Sequence, residues 1–431
     1  MKIKTLNDKA WEKIFEKYDI LRHLNRIGHF KISSNQMKEF REPRLMAKFD
    51  HKMNLPEIFL KNNLSILPIT RGDYIISKFE TYHNFEINTD NRIIPVSIPS
   101  YIQSLDADKI KSENIALNCA ISSGIIAHFM DDEEIVPTVS GRMGTGIFNF
   151  NIRNSTNKNF QNIEVNNAQI EIDAAYEGIN FLALIEAKMD LADDFLIRQL
   201  YYPYRVWEKR IKKSIKPIFL IYSNGIYHLY EYKFQNLNEY NSLMLVKQKN
   251  YSIEDTSITI QDIQNILQNV QIEREPQIPF PQADKFERII NICELIQQKQ
   301  ELTRIDVTQE YDFDTRQTNY YTDAARYLGL IEKEKFNKTI KYNLTKKALK
   351  ILKLNYKQRQ LAYCKSILCH KPFADTLIKY FENGVMPTSD EIVQIMKLAN
   401  LYQISSEETF KRRSSSIRGW INWIIELINQ E

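Results

Sequence analysis

The feature that most constrains the fold of this chain is a short apolar run that ends in two charged residues. It reads Phe181-Leu-Ala-Leu-Ile-Glu186-Ala-Lys188. Alternate residues of a β-strand share a face, and both faces of this run are apolar until Glu186. A strand that is apolar on both faces is covered on both sides, as strands of parallel and mixed sheets are. The run therefore predicts a mixed α/β core in which a buried strand ends with Glu186 and Lys188 on one face.

The segment before this strand supplies further carboxylates. Residues 169–173 are strand-like, and Gly178 lies in a turn that closes a hairpin with the buried strand. Glu171 and Asp173 share one face of the segment because they are two residues apart. A tight turn centred near Gly178 pairs Glu171 with Glu186. The spacing leaves open which of the two acids joins the site.

Charges at the end of a buried strand are costly unless they are paired or bound to a metal ion. Two converging carboxylates bind a hard cation such as Mg²⁺. A lysine beside them can orient a water molecule and stabilise developing negative charge. The pattern indicates metal-dependent hydrolysis of a phosphodiester, with a purely structural pair of Glu186 and Lys188 as the alternative.

The length of 431 residues, 43% of them hydrophobic, allows several domains with substantial cores. Apolar periodicity, turn residues and a proline-containing stretch divide the chain into five segments. They are an α/β module that is a candidate for DNA recognition (1–103), the mixed-sheet core (104–274), a linker (275–282), a winged helix-turn-helix (283–355) and a second winged-helix-like helical domain (356–431).

The winged helix is predicted from the order of its elements. A helix at residues 286–298 and a second around residues 306–311 precede a helix from Thr315, which is stopped by Gly329. Two short strands and a further helix follow. The second helix of such a motif enters the major groove, so its early turns carry the candidates for base reading: Arg316, Gln317, Asn319 and Tyr320. A later helix supplies the candidates for phosphate contact: Arg412, Arg413 and Arg418. The alternatives are exposed polar side chains and a winged helix that binds protein.

The charge of the chain is unevenly placed. The net charge is only +4, but residues 333–379 contain 13 Lys and Arg against two acids. This asymmetry favours a polyanionic partner, with a solvated basic face as the alternative. The N-terminus lacks the apolar core of a signal peptide, and no apolar run approaches 18 residues. A cytoplasmic protein without a membrane partner is expected.

The pattern Asp173…Glu186-Ala187-Lys188 resembles the active-site signature of the PD-(D/E)xK nuclease superfamily. The whole chain resembles type II restriction endonucleases that couple this core to C-terminal winged helices. The residue before the acid is Ile172 instead of proline, which departs from the pattern. Further resembling segments are Arg41–Asp50, Leu67–Gly72, Ser140–Arg142 and Arg198–Arg205.

The resemblance implies that Asp173, Glu186 and the Ala187 carbonyl hold Mg²⁺, that Lys188 acts on the water, and that Gln199 supports the lysine or a phosphate. It implies sequence-specific cleavage of double-stranded DNA with 5′-phosphate ends, in a bacterial restriction system whose partner is a cognate DNA methyltransferase. A homodimer, formed in solution or only on DNA, is expected because cutting both strands needs two sites. The alternatives are a modification-dependent endonuclease and a non-cleaving regulator with a degenerate core.

Overall fold

The computed structural model of the protein divides into two compact units. It describes residues 5–86, 92–106, 110–254, 256–304, 306–307, 315–336, 339–399, 401–402 and 404–428. The first unit contains the described residues of 1–88, 112–222 and 228–249, and the second contains those of 89–111, 223–227 and 250–431. The candidate catalytic residues all lie in the first unit, and the candidate DNA-reading residues all lie in the second.

The N-terminal part of the first unit is mixed α/β, as its sequence predicts. Its helices are α1 (Leu6–Lys17), α2 (Ile20–Ile27), α3 (Ser34–Lys38), α4 (Pro43–Met46) and α5 (Glu57–Lys61). Strands β1 (His29–Ser33), β2 (Ser65–Pro68) and β3 (Asp73–Ser77) form an antiparallel sheet in the order β1–β3–β2, and β4 (Tyr82–Asn84) follows. A reciprocal cap between Thr5 and Asp8 begins α1, whose Trp11 is buried between these helices and the sheet.

A mixed sheet forms the centre of the first unit and confirms the predicted mixed α/β class. Its strands are β6 (Val136–Gly144), β9 (Gln169–Glu177), β10 (Phe181–Lys188), β12 (Ser214–Ser223), β13 (Ile226–Phe234) and β14 (Leu243–Ser252), in the order β14–β13–β12–β10–β9–β6. Strand β10 runs antiparallel to β9 and parallel to β12. Strands β7 (Ile147–Arg153) and β8 (Phe160–Asn166) form a separate hairpin.

Helices contact both of the strands that carry the candidate site. They are α6 (Glu113–Ser122), which α7 (Ile125–Met130) follows, and α8 (Arg198–Glu208), which lies in the connection between the parallel strands β10 and β12. Leu182 and Leu184 pack with Leu200 and Val206 of α8 in one core. All of β10 except its last residue is buried, which confirms the predicted covered strand.

The sequence pattern predicts a helix that begins at Asp194, and this boundary is wrong. The first three residues form β11 (Asp194–Leu196), which pairs antiparallel with β4, and α8 begins only at Arg198. Strand β4 lies far earlier in the chain, so the pairing that overrides the local helical pattern leaves no trace in the local sequence.

The register of the β9–β10 hairpin also differs from the prediction. The observed pairs are Leu182–Glu177, Ala183–Tyr176, Leu184–Ala175 and Ile185–Ala174. Continuing the ladder by one residue places Glu186 opposite Asp173 instead of Glu171. The turn occupies residues 178–180, so its centre lies one residue later than predicted, and a shift of one in the turn moves the pairing by two.

The main helical part of the second unit contains the predicted helices at residues 286 and 315, the two predicted wing strands and the helix that follows them. The further helix that the sequence predicts around residues 306–311 falls mostly outside the described residues, and the short strand at residues 302–303 is not predicted. The elements of this unit are β5 (Ile93–Pro95), α9 (Ile260–Asn269), α10 (Phe286–Lys299), β15 (Leu302–Thr303), α11 (Thr315–Tyr327), β16 (Ile331–Phe336), β17 (Thr339–Leu344) and α12 (Lys346–Ile351). The last three strands form an antiparallel sheet in the order β15–β17–β16. Gly329, at a φ of 66°, follows α11 as the predicted stop.

Four helices complete the second unit: α13 (Tyr356–Leu368), α14 (Lys371–Asn383), α15 (Ser389–Lys397) and α16 (Glu407–Ile428). The described residues between 356 and 428 form no strand. Helix α16 is held at Trp420, whose Nε1 donates to the Ala283 carbonyl at 2.6 Å. In the described part of the chain, every helix is too short or too polar to cross a membrane.

Candidate active site

A buried ion pair lies at the end of β10. Lys188 Nζ donates to Glu186 Oε1 at 2.5 Å and to the Ala187 carbonyl at 3.2 Å. Only 14% of the Lys188 side chain and 11% of the Glu186 side chain are exposed. Burial raises the pKa of Glu186 to about 7, and Asp173 and Asp50 add to the rise while Lys188 opposes it. The short contact with the ammonium favours the ionised carboxylate.

The structure brings Asp173 to this pair. Its Oδ2 accepts a hydrogen bond from the Ala187 N–H at 2.8 Å, so the carboxylate lies across the hairpin from Glu186. Glu171 does not take part. Its carboxylate accepts a hydrogen bond from Arg142 Nε at 3.2 Å, and more than half of both side chains is exposed. Of the two acids that share a face in the sequence, only Asp173 reaches the site.

Gln199 also reaches the pair from the first turn of α8. Its Nε2 donates to Glu186 Oε1 at 2.6 Å, so this one oxygen accepts from both the amide and the ammonium of Lys188. The buried Gln199 Oε1 has no hydrogen-bond partner among the described residues. Gln199 therefore supports the glutamate through its amide nitrogen.

Glu113 lies at the site from the first turn of α6, which begins at the cap residue Ser112. Its Oε1 lies 4.0 Å from Lys188 Nζ. Burial raises the pKa of Glu113, and the Asp173 carboxylate adds to the rise. Burial opposes the charged form of Lys188, but the carboxylates of Glu186, Asp50 and Glu113 outweigh it and raise the pKa. The Glu113 carboxylate thus interacts electrostatically with Lys188 of the site. It also lies in the first turn of α6, where a negative charge stabilises the helix.

Two residues of the N-terminal module lie beside this site. Asp50 ends the resembling segment Arg41–Asp50, but the sequence assigns no role to it or to His51. The Asp50 carbonyl accepts from the Leu196 N–H at 2.9 Å. His51 Nδ1 lies 2.6 Å from the Asp194 carbonyl, which can only accept, so Nδ1 carries the proton. His51 Nε2 lies 3.7 Å from Asp190 Oδ2. The segment is therefore held between β11 and the residues that follow Lys188.

The donor set suits Mg²⁺ because it consists of oxygen atoms. Among the residues that the structure describes, no group of three or more His, Cys, Asp or Glu side chains is close enough to hold a metal ion. Mg²⁺ usually keeps several waters and binds one or two carboxylates, so Asp173 and Glu186 can serve as its protein ligands. The Ala187 carbonyl, the third predicted ligand, accepts from Lys188 in this structure.

The candidate base-reading residues lie on α11. Gln317 is exposed, and Asn319 and Tyr320 are half-buried. Arg316 belongs to the same helix, but its side chain lies outside the described residues. The neighbouring Thr318 and Thr322 are fully buried and fix the opposite side of the helix. The early turns of α11 thus expose some of the predicted polar groups.

The candidate phosphate-binding arginines of α16 differ in their surroundings. Arg413 donates to the Phe280 carbonyl, and Arg418 donates to the Pro387 carbonyl at 2.7 Å, so both serve the packing of their own unit. Arg412 is exposed. Burial lowers the pKa of Arg413, as does the charge of Arg412, while Tyr320 of α11 opposes this. The start of α16 therefore lies close to α11.

Three domain-family models match the chain, and each is described as a domain of unknown function. They are DUF6996 over residues 8–76, DUF6997 over residues 77–252 and DUF7226 over residues 288–429. No curated protein and no solved structure matches the chain. Asp50 and His51 fall in the first matched region, Asp173, Glu186, Lys188 and Gln199 in the second, and the candidate DNA-reading residues in the third.

Proposed function

We propose that the protein is a Mg²⁺-dependent, sequence-specific endonuclease that cuts double-stranded DNA in a bacterial restriction–modification system. The core at residues 104–274 would be of the PD-(D/E)xK type and the protein cytoplasmic. One observation carries the proposal. Asp173 and Glu186, on adjacent antiparallel strands, lie beside a buried lysine, and Gln199 of the following helix holds the same glutamate.

Each residue has a distinct task in the proposed reaction. Asp173 and Glu186, with the Ala187 carbonyl, would hold Mg²⁺, which when bound polarises the scissile phosphate and lowers the pKa of a coordinated water. Lys188 stays charged among its carboxylates, so its Nζ can orient the attacking water and stabilise negative charge on the phosphate. Gln199 fixes the orientation of Glu186.

The second unit would bind and read the duplex. The order α10, β15, α11, β16, β17, α12, with its three-stranded sheet, supports a winged helix in which α11 enters the major groove. Gln317 is the best placed of the base-reading candidates because it is exposed, and Arg412 is the best placed for a phosphate. A homodimer would bring two active sites to one target, and a cognate methyltransferase would protect the host DNA.

Cleavage of DNA by the purified protein tests the proposal. We expect plasmid and genomic DNA to be cut at a defined sequence in Mg²⁺, leaving ligatable 5′-phosphate ends. Asp173→Ala and Lys188→Ala should each lower the cleavage rate about a hundredfold or more, because each removes a group that acts on the transition state. Sequencing the ends of digested genomic DNA identifies both the recognition sequence and the offset between the cuts in the two strands.

Glu171→Gln is the matched control, since Glu171 lies two residues before Asp173 on the same strand but pairs with Arg142 at the surface. It should cut at the parent rate. Cleavage by Asp173→Ala or Lys188→Ala as fast as by the parent contradicts the site. Cutting of methylated DNA alone favours the modification-dependent alternative, and a specific gel shift without cutting in any metal favours the regulator.

A further inference from the structure

We propose that a cavity in the first unit is a binding site for a nucleotide whose base carries an exocyclic amino group. The nucleotide is either extruded from a DNA duplex or free in solution, since both present the same chemical groups. Extrusion from DNA rests on the proposed nuclease function, whereas binding of a free nucleotide does not.

The cavity has a volume of about 710 Å³, which lies within the range of sites for small molecules. Its walls come from residues 52–65, from residues 79–86 and from the turn of the β7–β8 hairpin. The apolar part of the wall consists of Leu55, Phe59, Leu60, Leu64 and Phe79. The exposed residues of the lining are Lys52, Asn63, Asn84 and Lys158. Apolar side chains with a polar rim suit a small molecule that has both apolar faces and polar edges.

Glu80 places an unused hydrogen-bond acceptor in the wall of this cavity. Its Oε1 accepts from Lys158 Nζ at 3.5 Å, and its Oε2 lies 3.7 Å from Arg153 Nη1. Both distances exceed the usual length of a charge-assisted hydrogen bond, roughly 2.7–2.9 Å. Oε2 is buried and has no hydrogen-bond partner among the described residues. Because a buried acceptor without a partner is costly, this oxygen favours a ligand that donates an N–H group.

The second carboxylate of the lining, Glu86, already has partners. His83 Nε2 lies 2.9 Å from Glu86 Oε1, and the Tyr232 hydroxyl donates to Glu86 Oε2 at 3.0 Å. The His83 ring also packs edge-on against Phe195, with 5.5 Å between the ring centroids. Of the two acids in the lining, Glu80 is therefore the one that is available to a ligand.

The lining also offers groups that suit the face of a base and a phosphate. Tyr82 is half-buried, and its hydroxyl donates to the Phe49 carbonyl at 2.9 Å, which fixes the ring. A fixed aromatic ring can stack on any base, and the exposed ammonium groups of Lys52 and Lys158 can bind a phosphate. A nucleotide combines the flat face, the N–H donor and the negative charge that these groups and Glu80 would bind.

The cavity is joined to the candidate active site through β11. The Lys52 N–H donates to the Asp194 carboxylate at 3.3 and 3.4 Å, and β4, which lines the cavity, pairs with β11. Helix α8, which carries Gln199, begins two residues after β11 ends. Enzymes that act on or read a single base extrude it from the duplex into such a pocket. DNA bound at the proposed cleavage site would therefore have this cavity beside it.

Binding of deoxynucleoside monophosphates to the intact protein tests the site without any cleavage. Three matched pairs differ in the amino group: deoxyguanosine and deoxyinosine, deoxycytidine and deoxyuridine, and deoxyadenosine and its analogue with unsubstituted purine. In at least one pair the amino-bearing nucleotide should bind about tenfold more tightly, because it makes one more hydrogen bond to a carboxylate. Isothermal calorimetry measures the affinities.

Variants of the lining assign the contacts. Glu80→Ala should abolish the preference within the pair, and Glu80→Gln, which keeps the shape of the side chain, should reduce it because a neutral amide is the weaker acceptor. Lys52→Ala should weaken nucleotide binding about threefold or more and leave nucleoside binding unchanged. Glu164→Ala, at an exposed acid of β8 outside the lining, is the control and should bind as the parent does.

A duplex that carries 2-aminopurine distinguishes the two sources of the nucleotide. The fluorescence of this base is quenched in the stack and rises when the base leaves it. The probe is placed at each position of the cleaved target in turn, with Ca²⁺ in place of Mg²⁺. A rise at one position that is smaller with Glu80→Ala identifies an extruded base. Nucleotide binding without a rise at any position identifies a free nucleotide as the ligand.

Two results overturn the inference. One is the absence of any preference for an amino-bearing nucleotide at concentrations up to the millimolar range, together with no rise in any duplex. The other is a preference that Glu80→Ala and Glu80→Gln both retain in full. A parent that cuts no DNA refutes the proposed function instead, and the nucleotide measurements then decide the inference alone.

Discussion

At the scale of single residues, neighbours in the fold decide the role of each charge. Glu171 and Asp173 are both acids on one face of β9. Glu171 lies at the surface beside Arg142, and such exposed pairs contribute about 1 kcal/mol or less. Asp173 accepts from the Ala187 N–H inside the site. Because the two acids point to the same side of the strand, the sequence alone does not distinguish their roles. The register of the β9–β10 hairpin places only Asp173 opposite Glu186.

A second buried ionisable residue, His370, gives the clearest pH dependence. Burial opposes its charged form, but the Cys369 thiol and the Glu275 carboxylate outweigh burial and raise the pKa of His370 to about 9 from its ordinary 6.5. His370 Nδ1 lies 3.6 Å from Glu275 Oε1, and only 4% of the His370 side chain is exposed. The charged form is therefore the one that the folded state favours.

We predict that His370 stabilises the protein at low pH and loses this effect as the pH rises. A pKa raised by folding contributes stability that is fully present below pH 6.5 and disappears as the pH rises through 9. The contribution is at most about 3 kcal/mol. Chemical denaturation of the parent and of His370→Gln between pH 6 and 10 measures it. The gap between the two free energies of unfolding should shrink with pH, and a constant gap would refute the ion pair.

At the scale of elements, local sequence patterns correctly predict the helices and strands whose pairing partners lie nearby in the sequence. The run from Phe181 to Lys188 is the buried strand β10, and the helix from Thr315 that ends before Gly329 is α11. The predicted helix at Asp194 is wrong in its first turn because β4, a distant segment, pairs with residues 194–196. The favourable exchange of backbone hydrogen bonds with a distant strand overrides local propensity.

Helix α16 passes close to the backbone of Asp284, and a glycine at the point of contact makes this approach possible. A Cβ added at Gly419 of α16 would lie 2.2 Å from the Asp284 carbonyl oxygen. Alanine is otherwise the better helix former by about 1 kcal/mol. We predict that Gly419→Ala nevertheless destabilises the protein by about 1–3 kcal/mol, because the backbone must move to admit the methyl group.

Denaturation of Gly419→Ala measures this effect. Gly144→Ala is the control, since its Cβ would meet only Asn167 Oδ1 at 4.0 Å, an ordinary contact. Its free energy of unfolding should stay within about 0.5–1 kcal/mol of the parent. Equal or greater stability of Gly419→Ala would show that the approach of α16 to Asp284 is looser than described.

At the scale of the whole molecule, the two units would divide the work on DNA. The first contains a site with a buried lysine among several carboxylates, and the second contains the basic stretch between residues 333 and 379. Its ion pairs include Lys341 with Glu301 and Lys357 with Asp262. Acids of the same unit therefore neutralise part of the positive charge of this stretch. The remaining positive charge would be available to a polyanion.

We predict that Arg412 contacts a phosphate and Gln317 a base. Arg412→Ala should weaken binding to target and random duplexes alike and lower the salt slope of the affinity by about 1, because one fewer counterion is released. Gln317→Ala should weaken binding to the target alone, by about 1–3 kcal/mol. Fluorescence anisotropy in Ca²⁺ at several salt concentrations measures both. Arg22→Ala, at a largely exposed arginine of the first unit, is the control.

If Arg412→Ala leaves the salt slope unchanged, α16 does not touch the duplex. If Gln317→Ala weakens both duplexes equally, α11 does not read bases there. Either result would move the proposed recognition surface away from the early turns of these helices and would leave the proposed cleavage site in the first unit unaffected.

The sequence by itself determined the mixed α/β class, the covered strand with Glu186 and Lys188 on one face, and the run of α11, β16, β17 and α12. These follow from periodicity, turn residues and burial, which are local properties of the chain. Only the tertiary structure decided that Asp173 and not Glu171 faces Glu186, that Gln199 donates to that glutamate, and that Asp50 lies beside the site. Each of these depends on a hairpin register or on a pairing between distant segments, and such contacts are set by the packing of the whole unit.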